Sequence, residues 1–229
     1  MPAPEAGEPA TDAVLDLGVA DALAARRSCR SFLERPLEQG LLADLIDRAR
    51  RTPSAGNAQG VDFLLLEGPA DTAAYWETTL PEEGRATFPW PGLLAAPALV
   101  VVYADADRYV ERYAEADKAA SGLGGDAGDW PVPYWYVDAA FAALALQLLV
   151  VGKGLGCCFF GLFEHERAVA ERFGVPSGRR AVGVVAVGHP AIAGQRPSGS
   201  TTRGRRDLGE VLHRGYWGAA DERPTGAAG

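Results

Sequence analysis

The stretch YVDAAFAALALQLLVV, residues 136–151, is the most apolar segment of the 229-residue chain and decides its fold class. Its apolar residues recur around the whole circumference of a helix, which predicts a buried central helix rather than a surface helix. Asp138 and Gln147 interrupt the stretch, so it lacks the roughly 20 uninterrupted apolar residues that a membrane span needs. A short apolar run at 155–160 follows and predicts a strand beside this helix.

Further periodic segments extend from this centre in both directions, and helices and strands mix without a strict alternating repeat. That mixture predicts an α+β fold. No linker is long enough to divide the chain, so we predict one domain over residues 15–217, between a disordered arm at 1–14 and a disordered tail at 218–229. The predicted strands are 61–67, 98–103, 155–160 and 182–187, and the predicted helices are 12–27, 36–52, a short one from Asp71, 105–120, 136–151 and 164–173.

Composition and charge limit the class of protein. Hydrophobic residues make up 48% of the chain and charged residues 23%, as in ordinary globular proteins. Acidic residues exceed basic ones and give a net charge of −8, which is unsuited to the neutralisation of nucleic-acid phosphates. We therefore predict a small-molecule substrate, and neither a nucleic acid nor a membrane as partner.

Cysteine usage indicates the compartment. The three cysteines, Cys29, Cys157 and Cys158, cannot form a disulfide framework, since their number is odd and two are sequence neighbours. No pair has the spacing of zinc ligands, so we predict no metal. Unpaired thiols fit a reducing compartment, and the acidic, proline-rich first residues lack the features of a signal peptide. The sequence therefore predicts a cytoplasmic protein.

The segment RRSCRSF, residues 26–32, is the first that can carry chemistry. Arg26, Arg27 and Arg30 lie within five residues of one another beside Ser28. Guanidinium groups bind phosphate through two hydrogen bonds and a serine hydroxyl adds a donor, so this cluster suits an anion. The alternative is a solvated basic helix end, which the helix dipole favours.

The second such segment is TPSAGNAQG, residues 52–60. Pro53 stops the preceding helix, and Ser54 and the glycines suit a turn. Asn57 is the only asparagine of the chain, and its amide offers a donor and an acceptor together, as the edge of a heterocycle requires. The alternative is that Asn57 only occupies a left-handed turn position.

Two further segments follow in the C-terminal half. GLGCCFFGLF, residues 154–163, has glycines that let the backbone approach a flat ligand, while Cys157 and Cys158 are interpreted as small core residues on opposite faces of a strand. RGRRDLGEVLH, residues 203–213, contains Arg203, Arg205 and Arg206. Two arginine clusters in an acidic protein suggest convergence on one phosphate. No nucleophile elbow, P-loop or pair of carboxylates is recognisable.

The order of these segments resembles the FMN-dependent nitroreductase family. RRSCRSF is similar to that family's opening RRSxRxF, and TPSAGNAQ is similar to its APSxxNxQ-like loop. AAPALVVVYAD, GLGCCFFGLFE, FGVPSG, AVGVVAVGHPA and the closing RGRRDLGEVLHRGYW resemble later parts of the family in the same order. The resemblance covers residues 18–217.

The resemblance implies an α+β sandwich with a central mixed β-sheet flanked by helices, and an intertwined homodimer with two FMN sites at its interface. It implies that the FMN phosphate is bound by both arginine clusters, and that Arg30 lies near N1 and O2 of the flavin, where it stabilises the negative charge of the reduced state. The loop at 53–59 would reach the flavin from the neighbouring subunit. The cofactor-binding residues implied are Arg26, Arg27, Ser28, Arg30, Pro53, Ser54, Ala55, Asn57, Gln59, Phe160, Gly161, Leu162, Arg203 and Arg205.

The activity implied by the resemblance is a two-step oxidoreduction. NAD(P)H passes hydride to flavin N5, and a nitroaromatic, quinone or similar small acceptor then takes the electrons, so no protein side chain is catalytic. Trp130, Trp135 and Tyr136 would form an aromatic substrate pocket over the flavin, with interface packing as the alternative. Alternatives to the reductase are a flavin oxidase or dehydrogenase of a biosynthetic pathway, a non-catalytic flavin-binding or storage protein, and a flavin-free structural dimer.

Overall fold

The computed structural model describes residues 17–191, residue 195 and residues 203–217. The chain divides into two compact units, Met1–Gln195 and Arg196–Gly229. The disordered arm predicted at 1–14 and the tail predicted at 218–229 lie outside the described residues, as does the start of the helix predicted at 12–27. The single domain predicted over residues 15–217 stays a prediction.

Helices and strands mix along the first unit, which confirms the α+β class. Its strands are β1 Val61–Glu67, β2 Ala98–Asp105, β3 Gly156–Phe160 and β4 Arg179–Gly188. Its helices are α1 Val19–Ala25, α2 Leu41–Ala49, α3 Pro69–Thr79, α4 Glu82–Arg85, α5 Ala106–Ala114, α6 Tyr134–Gly152 and α7 Glu166–Phe173. In the second unit, α8 covers Leu208–Val211.

The four strands form one sheet in the order β1-β2-β4-β3, and each neighbouring pair is antiparallel. The mixed sheet that the resemblance implies is therefore wrong for the strands of the described residues. The connections from β1 to β2 and from β3 to β4 leave and re-enter the sheet at the same end, whereas a parallel pair needs a crossover to the opposite end. The bridge between Ser28 and Cys157 is parallel, but it is an isolated contact outside the named strands.

The core lies on both faces of β2, all of which is buried. Val100 and Val102 face α6, where Leu146 is fully buried against them. Leu99 and Val101 face the opposite side, which α3 and α7 cover. Full burial of a side chain such as Leu146 stabilises the fold by about 2 kcal/mol, so the alternation along β2 fixes the sheet between two helical layers.

Helix α6 is the central helix predicted from the most apolar segment, extended by two residues at its start and one at its end. Its length and mean hydropathy match those of a membrane span, yet half of that span is buried within the chain, as in an ordinary core helix. One face differs from the prediction of complete burial. Phe141 is 47% exposed and Leu144 is 43% exposed, so α6 presents an apolar strip to the surface of the single chain.

Candidate functional site

The arginine segment, which we define as residues 26–32, runs beside the edge strand β3. Ser28 pairs with Cys157, and the backbone N–H of Cys29 donates to the carbonyl of Cys157 at 2.8 Å. Cys29 and Phe32 are buried and anchor the segment, whereas Ser28 between the arginines is exposed. The exposed Ser28 and the half-buried Arg26 and Arg30 therefore leave polar groups at this edge of the sheet.

The guanidinium groups of this segment have different surroundings. Arg27 donates to the carbonyls of Ala24 at 2.6 Å and Arg26 at 2.8 Å, which is the helix-end role that the dipole favours. Arg26 and Arg30 are half-buried, and neither forms an ion pair with a carboxylate of the described residues. The guanidinium carbon of Arg30 lies 4.7 Å above the ring of Trp90. Half-buried cations without a counter-ion suit an anionic ligand.

Gln195 also holds the arginine segment, a contact that sequence reasoning missed. Its amide nitrogen donates to the carbonyl of Ser31 at 2.9 Å, and its amide oxygen accepts from the backbone N–H of Arg30 at 3.4 Å. Gln195 lies 164 positions from Ser31 and 165 positions from Arg30 in the chain, so no local sequence pattern marks these contacts. They fix the backbone from which Arg30 projects.

The end of β3 places a second group of predicted cofactor-binding residues, 160–162, at the same edge of the sheet. Phe160 lies three residues along β3, about 10 Å from Cys157, and stacks on Trp76 with ring centroids 5.9 Å apart. Leu162 is buried, and the half-buried Gly161 lies between them. The structure therefore brings the arginine segment and residues 160–162 together along one edge of the sheet.

The loop at 53–59, which we call the asparagine loop, leads into β1. The carbonyl of Ser54 accepts from the N–H of Asn57 at 2.8 Å, and its hydroxyl accepts from the N–H of Gln59 at 3.0 Å. Asn57 has φ 57° and Gln59 has φ 53°, so the left-handed turn position considered for Asn57 is confirmed. Such conformations cost about 1–3 kcal/mol in residues other than glycine and concentrate at functional sites. The side chains of both residues are exposed.

Side chains of the helices α5 and α6 form hydrogen bonds with the backbone of the asparagine loop. Asp138 of α6, 3% exposed, accepts through one carboxylate oxygen from the N–H of Ala55 at 2.8 Å and from the hydroxyl of Tyr109 at 2.7 Å. Arg112 of α5 donates to the carbonyl of Gly56 at 2.8 Å. Burial, together with the neighbouring Asp138, raises the pKa of Tyr109 well above its usual value, so its hydroxyl stays a donor. A cavity of about 400 Å³ lies beside the loop, lined by Pro53, Ser54, Asn57, Gln59, Asp138 and neighbouring residues.

The arginine segment and the asparagine loop lie at diagonally opposite corners of the sheet. The partner of Ser28, Cys157, is level with Val187, Ala98 and Glu67 across the strands, whereas the asparagine loop enters β1 at Val61. The two corners are three strand spacings apart across the sheet and six residues apart along a strand. The diagonal between them is about 24 Å. The two segments of one chain are therefore well separated across the sheet.

The aromatic segment predicted as a substrate pocket packs into the core. Trp130 is 7% exposed and Trp135 is 8% exposed, and their rings lie 5.8 and 6.0 Å from that of Tyr109. Trp130 also donates to the carbonyl of Leu123 at 3.0 Å. Tyr136 is half-buried against Trp135. These contacts favour packing over a substrate-lining role for the two tryptophans.

The remaining predicted residues divide between the two units. Arg203 and Arg205 belong to the second unit and are exposed, while Arg206 forms an ion pair with Glu210 at 3.2 Å. Convergence of both arginine clusters on one phosphate stays a prediction. Cys157 and Cys158 are buried in the two separate cores, as predicted for opposite faces of a strand. Among the residues that the structure describes, no cluster of side chains is suited to a metal ion.

The fold is that of an α+β protein with an arginine-rich segment beside an edge strand of its sheet. The sequence profile of the Nitroreductase family matches residues 23–189, and the chain belongs to this family. A curated relative, the NADH dehydrogenase of Thermus thermophilus, is 29% identical over 187 residues, which cover 74% of this chain and 85% of that protein.

Solved structures share the fold. A protein from Exiguobacterium sibiricum described as a nitroreductase, in complex with FMN, is 17% identical with a TM-score of 0.63, covering 86% of this chain and 97% of the other. A protein from Clostridium acetobutylicum described as an NADH oxidase is 22% identical with a TM-score of 0.59, covering 86% of this chain and 100% of the other.

Proposed function

We propose that this chain is an FMN-dependent oxidoreductase that takes hydride from NADH or NADPH and reduces a nitroaromatic, quinone or similar small acceptor. The observation that carries the proposal is the pair of half-buried guanidinium groups, Arg26 and Arg30, which lack carboxylate partners among the described residues. The family, the relative named as an NADH dehydrogenase and the neighbour that contains FMN support the same chemistry.

The residues along the β3 edge suit FMN. Arg26 and Ser28 would bind the phosphate, because guanidinium groups and a hydroxyl match its oxygens. Arg30 would lie at the pyrimidine edge of the flavin and stabilise negative charge there. Phe160, Gly161 and Leu162 would line its reactive side. Bound FMN supplies the centre that accepts and donates hydride, so the chain needs no catalytic side chain.

We further propose a homodimer in which the asparagine loop of one copy completes the site of the other. The diagonal separation of about 24 Å supports this arrangement, because it places the two segments of one chain far apart for one flavin. The exposed apolar strip of α6 at Phe141 and Leu144 offers a surface for the second copy. The unpaired thiols support a reducing, cytoplasmic location.

The first test is the visible absorption spectrum of the purified full chain, followed by NADH and then NADPH under nitrogen. We expect a flavin spectrum that bleaches with one of the donors and returns when a nitroaromatic or quinone is added. Bleached flavin that recovers only with oxygen would replace the reductase by an oxidase, and flavin that neither donor bleaches would indicate a storage protein. A chain that takes up no FMN on incubation would overturn the proposal.

A further inference from the structure

Asp138 is a buried carboxylate in a helix that is otherwise almost wholly apolar. It forms no ion pair among the described residues, and the donors that reach its Oδ2 atom, the N–H of Ala55 and the hydroxyl of Tyr109, are neutral. A buried charge without a cation is expensive, so its contacts must be well made for the fold to tolerate it. The contact with Ala55 connects α6 directly to the asparagine loop.

The same loop fits closely against α5. A Cβ atom on Gly56 would lie 2.7 Å from the ring of Tyr113, and one on Gly60, the residue that follows the loop, would lie 2.5 Å from the ring of Tyr109. The guanidinium of Arg112 holds the carbonyl of Gly56 from the same helix. The loop backbone is therefore fixed on one side by two aromatic rings and by hydrogen bonds from beneath.

From these contacts we infer that Asp138 is a positioning residue for the flavin-facing loop of the partner's site. The left-handed backbone of Asn57 and Gln59 is unfavourable by itself and persists only where surrounding contacts impose it. Asp138 supplies that constraint, so the exposed side chains of Asn57 and Gln59 are held ready for the flavin without ordering on binding. This inference rests on the proposed function, in which the loop contacts FMN.

The test is FMN binding by the flavin-free full chain, measured by quenching of flavin fluorescence. We expect Asp138→Ala to raise the dissociation constant of FMN by about tenfold or more, because it removes the buried carboxylate and both of its hydrogen bonds. Tyr109→Phe should raise the dissociation constant by a smaller factor, because it removes one hydrogen bond to that carboxylate. Asp138→Asn keeps an oxygen acceptor for Ala55 and should restore affinity to within about threefold of wild type. Tyr75→Phe is the matched control, because Tyr75 is a fully buried tyrosine on the opposite face of the sheet, and this change should leave FMN binding unchanged.

A double-mutant cycle with Asn57→Ala separates positioning from general stability. If Asp138 acts through the loop, Asp138→Ala weakens FMN binding much less in the Asn57→Ala background than in wild type. The inference would be overturned if the fold changes in the dissociation constant of the two single variants multiply to that of the double variant. It would also be overturned if the Asp138→Ala chain binds FMN as wild type does. Either result would leave the proposed function standing. A wild-type chain that binds no FMN would instead overturn the proposed function itself.

Discussion

Cys157 shows how burial sets the chemistry of a single side chain. Its thiol is fully buried in the layer between the sheet and α6, and burial raises its pKa from 9.0 to about 12. Between pH 9 and 12 the folded chain therefore keeps a proton that the unfolded chain releases. The stability contributed by this group is complete below pH 9 and is lost as the pH rises towards 12.

We predict that Cys157→Ala removes this part of the alkaline destabilisation. The free energy of unfolding should fall with pH less steeply in the variant, by about 1.4 kcal/mol per pH unit between pH 9 and 11. The measurement is guanidinium unfolding of the flavin-free chain under reducing conditions at several pH values, with the slopes compared rather than the absolute stabilities. Equal slopes for the two proteins would contradict the assignment of a raised pKa to Cys157.

At the residue scale, the sequence marks candidate residues where unusual side-chain types cluster within a short segment. Arg26, Ser28, Arg30 and Asn57 stand out because cations, a hydroxyl and an unusual amide cluster locally. Asp138 was noted only as an interruption of an apolar helix, because its partner Ala55 lies 83 positions away in the chain. Contacts of that range depend on the tertiary fold, and no local pattern encodes them.

The exposed strip of α6 leads to a prediction about a whole element. Phe141 and Leu144 lie on the same face of the helix, one turn apart, and large apolar side chains there favour contact with another surface. Phe141→Glu should shift the protein towards monomer and lower its FMN content, because a charge at an apolar interface must be desolvated. Sedimentation analysis together with the ratio of flavin to protein absorbance would measure both effects.

The matched control for this variant is Ala168→Glu, which adds the same charge to an exposed position of α7 on another part of the surface. This control variant should change neither the oligomeric state nor the FMN content. Circular dichroism should report the same helix content for both variants. A Phe141→Glu protein that stays dimeric with full FMN content would show that α6 does not form the interface.

Element positions were more predictable than element ends and strand directions. The strand at 61–67 was predicted with the observed bounds, since alternating and apolar runs mark buried strands well. The helix predicted at 105–120 ends instead at Ala114, since the backbone turns extended at Glu115 with ψ 154°, and Arg112 pairs with Asp117 beyond this point at 2.7 and 2.8 Å. Periodicity carries no information on strand direction, which is why the antiparallel sheet needed the structure.

At the scale of the whole molecule, the placement of the arginine segment and the asparagine loop bears on the assembly that we propose. In the proposed two-fold symmetric dimer, the arginine segment of each copy would pair with the asparagine loop of the other, which would give two equivalent sites. Each site would then depend on one chain for Arg26 and on the partner chain for Asn57. A chain altered at Arg26 and a chain altered at Asn57 should therefore restore one intact site when they pair with each other. A pair of chains with the same alteration should not.

We predict that a heterodimer of one Arg26→Ala chain and one Asn57→Ala chain recovers activity that both variant homodimers lack. One of its sites receives both wild-type residues and the other receives neither, so the purified heterodimer should bind one FMN per two chains and show about half of wild-type turnover. Two different affinity tags allow its isolation. A heterodimer of Arg26→Ala and Ser28→Ala chains is the control, because both changes lie on the same segment and neither site is restored. Activity no higher than in the parent homodimers would mean that each site takes both segments from one chain, against the separation seen across the sheet.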